Sequence, residues 1–354
     1  MTQLVDWDLA VTTASRLAGG GPSVSYAEAA EVVSELRRAT DESEAHVFDF
    51  THLQAKVEHP PVRVVDRGDW AEVNVAGFQT VLAPVTQKLR EQRSSNPGPL
   101  ATAIGARATG VQVGGILAFL ASKVLGQYEV FSQAPGQLLL IAPNIVAAER
   151  SLGTDPRDFR LWVCLHEVTH RTQFTAVPWL RDHFLKEVFN FVDAADPDAM
   201  KDRLTTAVSE VGRALRERDT EISIIDLVQT PEQKAVLDRL TAMMTLLEGH
   251  AEYVMNGVGP RVVPSVESIR SKFQTRRKGT GPLDRALRRL LGIDVKMRQY
   301  AEGSRFVAAV VKSTGMDGFN RVWESVQTLP TMAEIGDAQA WVARVHGTSS
   351  VETG

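Results

Sequence analysis

The sequence predicts a mainly α protein with a small β element, and three observations carry that expectation. Helix-start signals recur along most of the 354 residues, strand signals are confined to one short stretch, and a His-Glu-x-x-His pattern lies within a well-capped helix.

Taken in order, Ser25 with Glu28 forms a capping box before a polar-apolar pattern reaching about Thr40. Asp69 with Glu72 opens a second helix ending near Arg93, where Ser94-Ser-Asn-Pro-Gly-Pro99 forces a loop. The most apolar stretch, Ala101 to Gly126, is interrupted by Arg107, Gln112 and Lys123 and diluted by Gly110, Gly114 and Gly115. Its longest uncharged part falls short of the roughly 20 residues that span a bilayer, so a buried core helix is expected. Tyr128-Glu-Val-Phe131, then Pro135-Gly136, then Gln137-Leu-Leu-Leu-Ile141 read as a hairpin or two edge-forming strands. Asp155-Pro156, Asp196-Pro197 and Thr230-Pro231 each give a cap followed by a first helical turn. Asp294 is expected to cap a further helix running to about Lys312. The resulting organisation is a helical region over 1–150 with a short hairpin near 128–141, and a helical region over 151–354. No fixed-period repeat is present, and the two regions are expected to form one compact unit.

Composition narrows the function classes. Hydrophobic residues make up 44% and charged residues 23%, the balance of a soluble globular chain. A net charge of −4 gives no global attraction to nucleic acid or an acidic membrane surface, so neither is expected as a partner. Cys164 is the one cysteine, which fits a reducing compartment. The first residues carry no basic n-region and no apolar core, and a cytoplasmic location is expected. Arg and Lys concentrate between Arg270 and Arg289, which reads as a solvated loop and helix face or as a contact for an anionic partner or substrate. The oligomeric state is not legible.

His166-Glu-Val-Thr-His170 carries the chemistry. On a helix, residues four apart share a face, so both imidazoles can reach one ion, while Glu167 lies beside that face. Zinc lowers the pKa of a bound water to about 7, and a neighbouring carboxylate can then take its proton. Random placement would give this pattern on the order of 0.01 times per chain. Asp155 as cap, Pro156 in the first turn and Asp158 after it predict a helix from Pro156 to about Phe174. Phe159, Val163, His166, His170 and Phe174 then form one stripe, so two histidines interrupt an apolar face. The alternative is two core histidines bonded to neighbours.

A third ligand must come from elsewhere. The metzincin pattern needs Gly and His where this chain has Gln173 and Ala176. Glu187 and His183 are near in sequence; Glu248 is the stronger candidate. Thr230, Pro231 and Gln233 start a helix expected to reach about Asn256, on which Leu237, Met244, Glu248, Ala251 and Met255 share a stripe. An acid on an apolar face needs a partner, and a metal is a strong one. Gly249 beside it allows close approach of another backbone, at a cost to helix stability of about 1 kcal/mol. His250 lies about 200° around the helix from Glu248 and cannot share the site.

Glu248-Gly-His-Ala-Glu-Tyr253 after His-Glu-x-x-His resembles the gluzincin branch of zinc metallopeptidases. More of the chain resembles an actinobacterial family of zincin-like metalloproteases associated with biosynthesis of the deazaflavin coenzyme. The matching blocks are Val5-Asp-Trp-Asp-Leu9, His166 to Gln173, Val177 to His183, Glu248 to Tyr253, Lys296 to Tyr300 with Gly303 and Phe306-Val307, and Gly315 to Phe319 through Trp323. The resemblance implies a zincin-like metallohydrolase architecture with His166, His170 and Glu248 on zinc and Glu167 as base. It supplies no substrate, and no Gly-rich phosphate loop is present.

The expected function is therefore a zinc-dependent peptidase or amidase acting on a peptide or small amide. The Gln137–Ile141 strand is expected to hold an extended substrate by edge pairing. Tyr253 is the first candidate for transition-state stabiliser, with His250, Tyr300 and His183 as further candidates, and a structural role is the alternative for each. The competing reading is a zincin-fold binding or assembly protein that keeps the metal for stability. Structural zinc mostly uses four ligands with thiolates, and Cys164 lies on the opposite side of the motif helix from His166, so a closed thiolate site is not available.

Overall fold

The computed structural model of the chain describes residues 5–92, 99–193, 231–277 and 293–347. Asp6 starts the first helix, α1 (Trp7–Ala18), by accepting a hydrogen bond from the Leu9 amide. Ser25 caps α2 (Tyr26–Thr51) by accepting from the Glu28 amide. This helix continues past the expected stop at Thr40. Thr40, Ser43 and Thr51 lie on its buried face, and each hydroxyl donates to the carbonyl four residues back, so polar residues that look like an ending are satisfied inside the helix.

A short strand, β1 (Arg63–Val65), follows, and α3 (Arg67–Gln92) begins three residues earlier than expected. Asp66, not Asp69, is the acceptor at its start: it receives the Asp69 amide at 2.8 Å. Next come α4 (Pro99–Ala121), β2 (Gly126–Glu129), β3 (Gln137–Ile141) and α5 (Ala142–Leu152). The motif helix α6 (Pro156–Ala176) leads directly into α7 (Pro178–Asp193). The second half holds α8 (Pro231–Val262), α9 (Val266–Arg277) and α10 (Ile293–Phe319), the last kinked at Gly315. Two short 3-10 turns, Asn320–Trp323 and Val326–Thr328, precede α11 (Met332–Gly336) and α12 (Ala338–His346). Among the described residues the fold is mainly α with one small sheet. The Asp196-Pro197 signal, Thr230 and most of the basic 270–289 segment lie outside the described residues.

The sheet has the order β1-β3-β2, with β1 parallel and β2 antiparallel to β3. This corrects the expected role of Gln137–Ile141: β3 is the central strand, its residues are all buried, and it has no free edge for a substrate. The outer positions belong to β1 and β2. Alternate residues of β3 serve two cores. Leu138 and Leu140 join the large core around α2, α6, α8 and α10, while Leu139 and Ile141 join a smaller core with Trp70, Ala71 and Leu117. A strand covered on both faces reads as a continuous apolar run, which is why it showed no alternation.

The Ala101–Gly126 stretch does form a long helix, but it is not a buried one. It is long and apolar enough to cross a membrane by length and composition. Gly110 and Gly114 bring its backbone against Asp6, Ala10 and Thr13 of α1, and Leu117, Ala118 and Ala121 are buried. Ile104, Val111 and Ile116 are exposed on its other faces. Small residues here allow a close helix pair rather than a position inside the core.

Candidate metal centre

Asp155 accepts the Asp158 amide at 3.0 Å and Pro156 occupies the first turn, so α6 starts where the sequence places it. The helix is buried nearly all round: Leu161, Cys164, Leu165, Val168 and Thr169 are enclosed as well as Phe159, Val163 and Phe174 of the expected stripe, and only that stripe's two histidines are partly open. It packs against α2 on one side and α8 on another. Cys164 faces α2, with its sulfur 3.8 Å from the Leu36 carbonyl oxygen, and burial pushes its thiol up to about 12.

His166 and His170 turn toward α8, and Glu248 meets them there. The two Nε2 atoms are 3.2 Å apart, and Glu248 Oε2 lies 3.6 Å from His166 Nε2 and 3.7 Å from His170 Nε2. A point equidistant from the corners of that triangle lies about 2.0 Å from each, matching zinc–imidazole and zinc–carboxylate bonds of roughly 2.0–2.2 Å. Two imidazole nitrogens and one carboxylate oxygen are also a donor set that zinc takes. Side chains of His166, His170 and Glu248 are 22%, 13% and 20% exposed, so the cluster opens to solvent on one side. Met244, one turn before Glu248 and expected on a buried stripe, is exposed. Among the described residues, no fourth His, Cys, Asp or Glu joins the three.

Close backbone packing sets Glu248 in place. A Cβ on Gly249 would stand 2.2 Å from the Gly303 carbonyl carbon, and one on Gly303 would stand 2.1 Å from the Thr245 carbonyl oxygen. The two glycines let α8 and α10 cross in backbone contact beside Glu248.

Electrostatics follows from three titratable groups and Glu167 sharing one buried place. Burial opposes charge on His170, but Glu248 overrides it and raises the imidazole to about 9. Burial likewise opposes charge on Glu248, and His170 and His166 override it, holding the carboxyl far below the usual range. Glu167 is buried and has its pKa raised, first by desolvation and further by Glu248, with both histidines opposing. Its side chain lies against Gly126 at the start of β2, where a Cβ would fall 2.5 Å from Glu167 Cγ.

The other candidates are placed elsewhere. Glu187 is buried but paired with Arg239 at 2.7 Å. His183 sits beside Trp179, with ring centroids 6.1 Å apart. His250 is fully buried between Phe319 and Trp323, and burial, then His170, lowers it to about 3. Tyr253 lies about 140° around α8 from Glu248, and its ring packs on Phe50 at 5.9 Å. The Tyr300 side chain lies outside the described ones. Two positions were missed. Gln173 stands in the sequence reading as a departure from the metzincin pattern and as the end of a matching block, with no role of its own, yet it is fully buried and its Oε1 lies 2.9 Å from His170 Nδ1. Gly126 gave no signal beyond preceding a strand.

His166 and His170 on a His-Glu-x-x-His helix, with Glu248 from a later helix, make a donor set that could hold a metal ion. The profile of the zincin-like metallopeptidase family matches residues 5–342, and the chain belongs to that family. It is also similar to a crystal structure from Chloroflexus aurantiacus of a protein provisionally named a hydrolase with a novel fold. The two share 32% identity and a TM-score of 0.70 over 97% of this chain and 99% of that one. No curated protein sequence matches the chain.

Proposed function

We propose that this protein is a zinc-dependent hydrolase, a metallopeptidase or amidase, with His166, His170 and Glu248 as ligands and Glu167 as general base. The carrying observation is the three-atom triangle that opens to solvent beside a buried carboxylate. Zinc bound there supplies Lewis acidity toward a carbonyl oxygen and toward water. Glu167 then does the proton work. Its raised pKa, set by burial, suits a carboxylate that takes a proton from the attacking water and returns it to the leaving amine nitrogen. Family membership and the relative named a hydrolase support the same reading.

The substrate proposed is a peptide or small amide, and of the two outer strands the one that would pair with an extended substrate is β2, which lies beside Glu167. Its first residue, Gly126, already touches Glu167. Tyr253 packs on Phe50, away from the face of α8 that carries Glu248, so Tyr253→Phe should leave zinc binding and hydrolysis unchanged. A cytoplasmic location and kinship with the actinobacterial deazaflavin-associated group are the narrower proposals drawn from the sequence blocks.

The test combines metal analysis with turnover of an unbiased peptide pool. Protein prepared without chelators should hold one zinc per chain. Glu167→Gln should keep that zinc and lose hydrolysis by about 10²–10⁴-fold, the usual contribution of a general base. Substoichiometric metal after zinc supplementation refutes the zinc assignment. Loss of zinc from Glu167→Gln, or retained turnover, refutes the role given to Glu167.

A further inference from the structure

We infer that Gln173 is a positioning residue that ties the two ligand-bearing helices together and fixes which ring nitrogen of His170 faces the metal; this rests on the zinc reading above. Gln173 lies one turn beyond His170 on α6 and is wholly enclosed. Its amide meets three partners. Oε1 is 2.9 Å from His170 Nδ1, and Nε2 is 2.9 Å from the Leu247 carbonyl oxygen and 3.0 Å from His250 Nδ1.

The direction of these bonds follows from one group that cannot change roles. The Leu247 carbonyl is only ever an acceptor, so the amide must turn its NH2 toward it. A flipped amide would set two oxygens against each other in a buried place, where an unpaired polar group costs most. Once the NH2 faces Leu247, its second hydrogen is aimed at His250 Nδ1, which accepts. Oε1 is then left for His170, whose Nδ1 must donate. A ring with its hydrogen on Nδ1 presents the Nε2 lone pair, and Nε2 is the atom that faces His166 and Glu248. The choice of donor atom on His170 is thus traced to a backbone carbonyl on another helix.

Leu247 immediately precedes Glu248, so the same amide links the second ligand to the backbone of the third. His250 is held in turn by stacking on Phe319 at 5.3 Å and an edge contact with Trp323 at 5.5 Å. The arrangement gives His170 a fixed rear partner of the kind whose loss weakens metal sites by about 10–100-fold. His166 has no such support among the described residues: its Nδ1 is buried with no partner there.

The experiment measures zinc dissociation constants by chelator competition on full-length protein, together with melting in excess chelator. Gln173→Met keeps side-chain length and removes all three bonds; it should bind zinc 10–100-fold more weakly. Thr169→Ala is the structural control. It is equally buried on α6 and bonds only the Leu165 carbonyl, so it should lower the melting temperature without changing zinc affinity. The wild type itself gives a second measurement that depends on no variant folding. In the zinc-loaded, ¹⁵N-histidine-labelled protein, His170 should bind through Nε2 and show an Nδ1 proton protected from solvent exchange. Coordination through Nδ1, an unprotected proton, or unchanged zinc affinity in Gln173→Met overturns the inference while leaving the zinc assignment standing. A wild type that takes up no zinc overturns both.

Discussion

Gly249→Ala tests whether the α8–α10 crossing holds the third ligand in place. The added Cβ would stand 2.2 Å from the Gly303 carbonyl carbon, and an ordinary contact begins near 3.4 Å, so the helices must separate by about 1.2 Å. The obstacle is backbone on a packed helix, which cannot swing aside as a side chain can. Overpacking of this kind costs up to about 3 kcal/mol. Alanine returns about 1 kcal/mol of helix propensity. A net loss of about 2 kcal/mol is expected, read from urea unfolding followed by circular dichroism in excess chelator. Glu248 is the adjacent residue, and metal–ligand distances tolerate only about 0.2 Å. If α8 takes even a third of the displacement, zinc should bind at least tenfold more weakly. Gly303→Ala should act at the same crossing, so the double variant should lose less than the sum of the two. Gly115→Ala on α4, with nothing within 4 Å of the new Cβ, is the matching control and should gain about 0.5–1 kcal/mol. A Gly249→Ala protein as stable as the wild type, with the same zinc affinity, would refute the argument.

Other substitutions and conditions separate the roles further. Gly126→Ala places a Cβ 2.5 Å from Glu167 Cγ, so it should keep zinc and reduce hydrolysis by at least tenfold; full turnover in that variant would show that Gly126 does not make room for the base. In zinc-free protein, His170 is raised to about 9, so its contribution to stability is complete below the unfolded value near 6.5 and is lost as pH rises through about 9. Glu248 is depressed, so its contribution is present above about 4.3 and is lost as pH falls below that. Melting of the chelated protein should therefore peak near pH 5–6.5 and decline toward pH 9.5. Because zinc requires the unprotonated imidazole, binding at pH 7 should release about one proton, measured by calorimetry in buffers of different ionisation enthalpy. No release would contradict the His170–Glu248 pairing.

Local chemistry was legible in the sequence, and tertiary chemistry was legible only where it left a local mark. Asp155, Pro156 and Asp158 define the start of α6 within four residues, so the motif helix could be placed before any contact was known. Glu248 was visible as an acid in an apolar setting with a glycine beside it, although Gly303, the partner of that glycine, was not. The three residues of β1 between proline-rich and helical segments carry too little pattern to announce a strand. Gly126 and Gln173 act through residues 41 and 77 positions away, Glu167 and His250, and nothing at either position alone states that distance. For α4, hydrophobicity was read as burial, whereas the small residues spaced along it served a helix pair with an open side.

The two-sided strand β3 has a consequence for how the catalytic region is specified. A strand with one wet face cannot slip by a residue without exposing its apolar set, but Leu138-Leu-Leu-Ile141 would present oil to both cores in either alignment. Hydrophobic pattern alone therefore leaves its alignment degenerate, and polar fasteners must break the tie. Glu129 supplies one at the hairpin end, accepting from the Phe131 and Ser132 amides and from the Ser132 hydroxyl. Gln137 receives Arg63 from β1, and Gln127 on β2 receives the Trp70 indole. A one-residue slip of β2 would replace Gly126 beside Glu167 by Leu125 or Gln127, and either side chain would occupy the room the base needs. These few hydrogen bonds, far from the ligand atoms, are thus what keep an alignment error from becoming a chemical one.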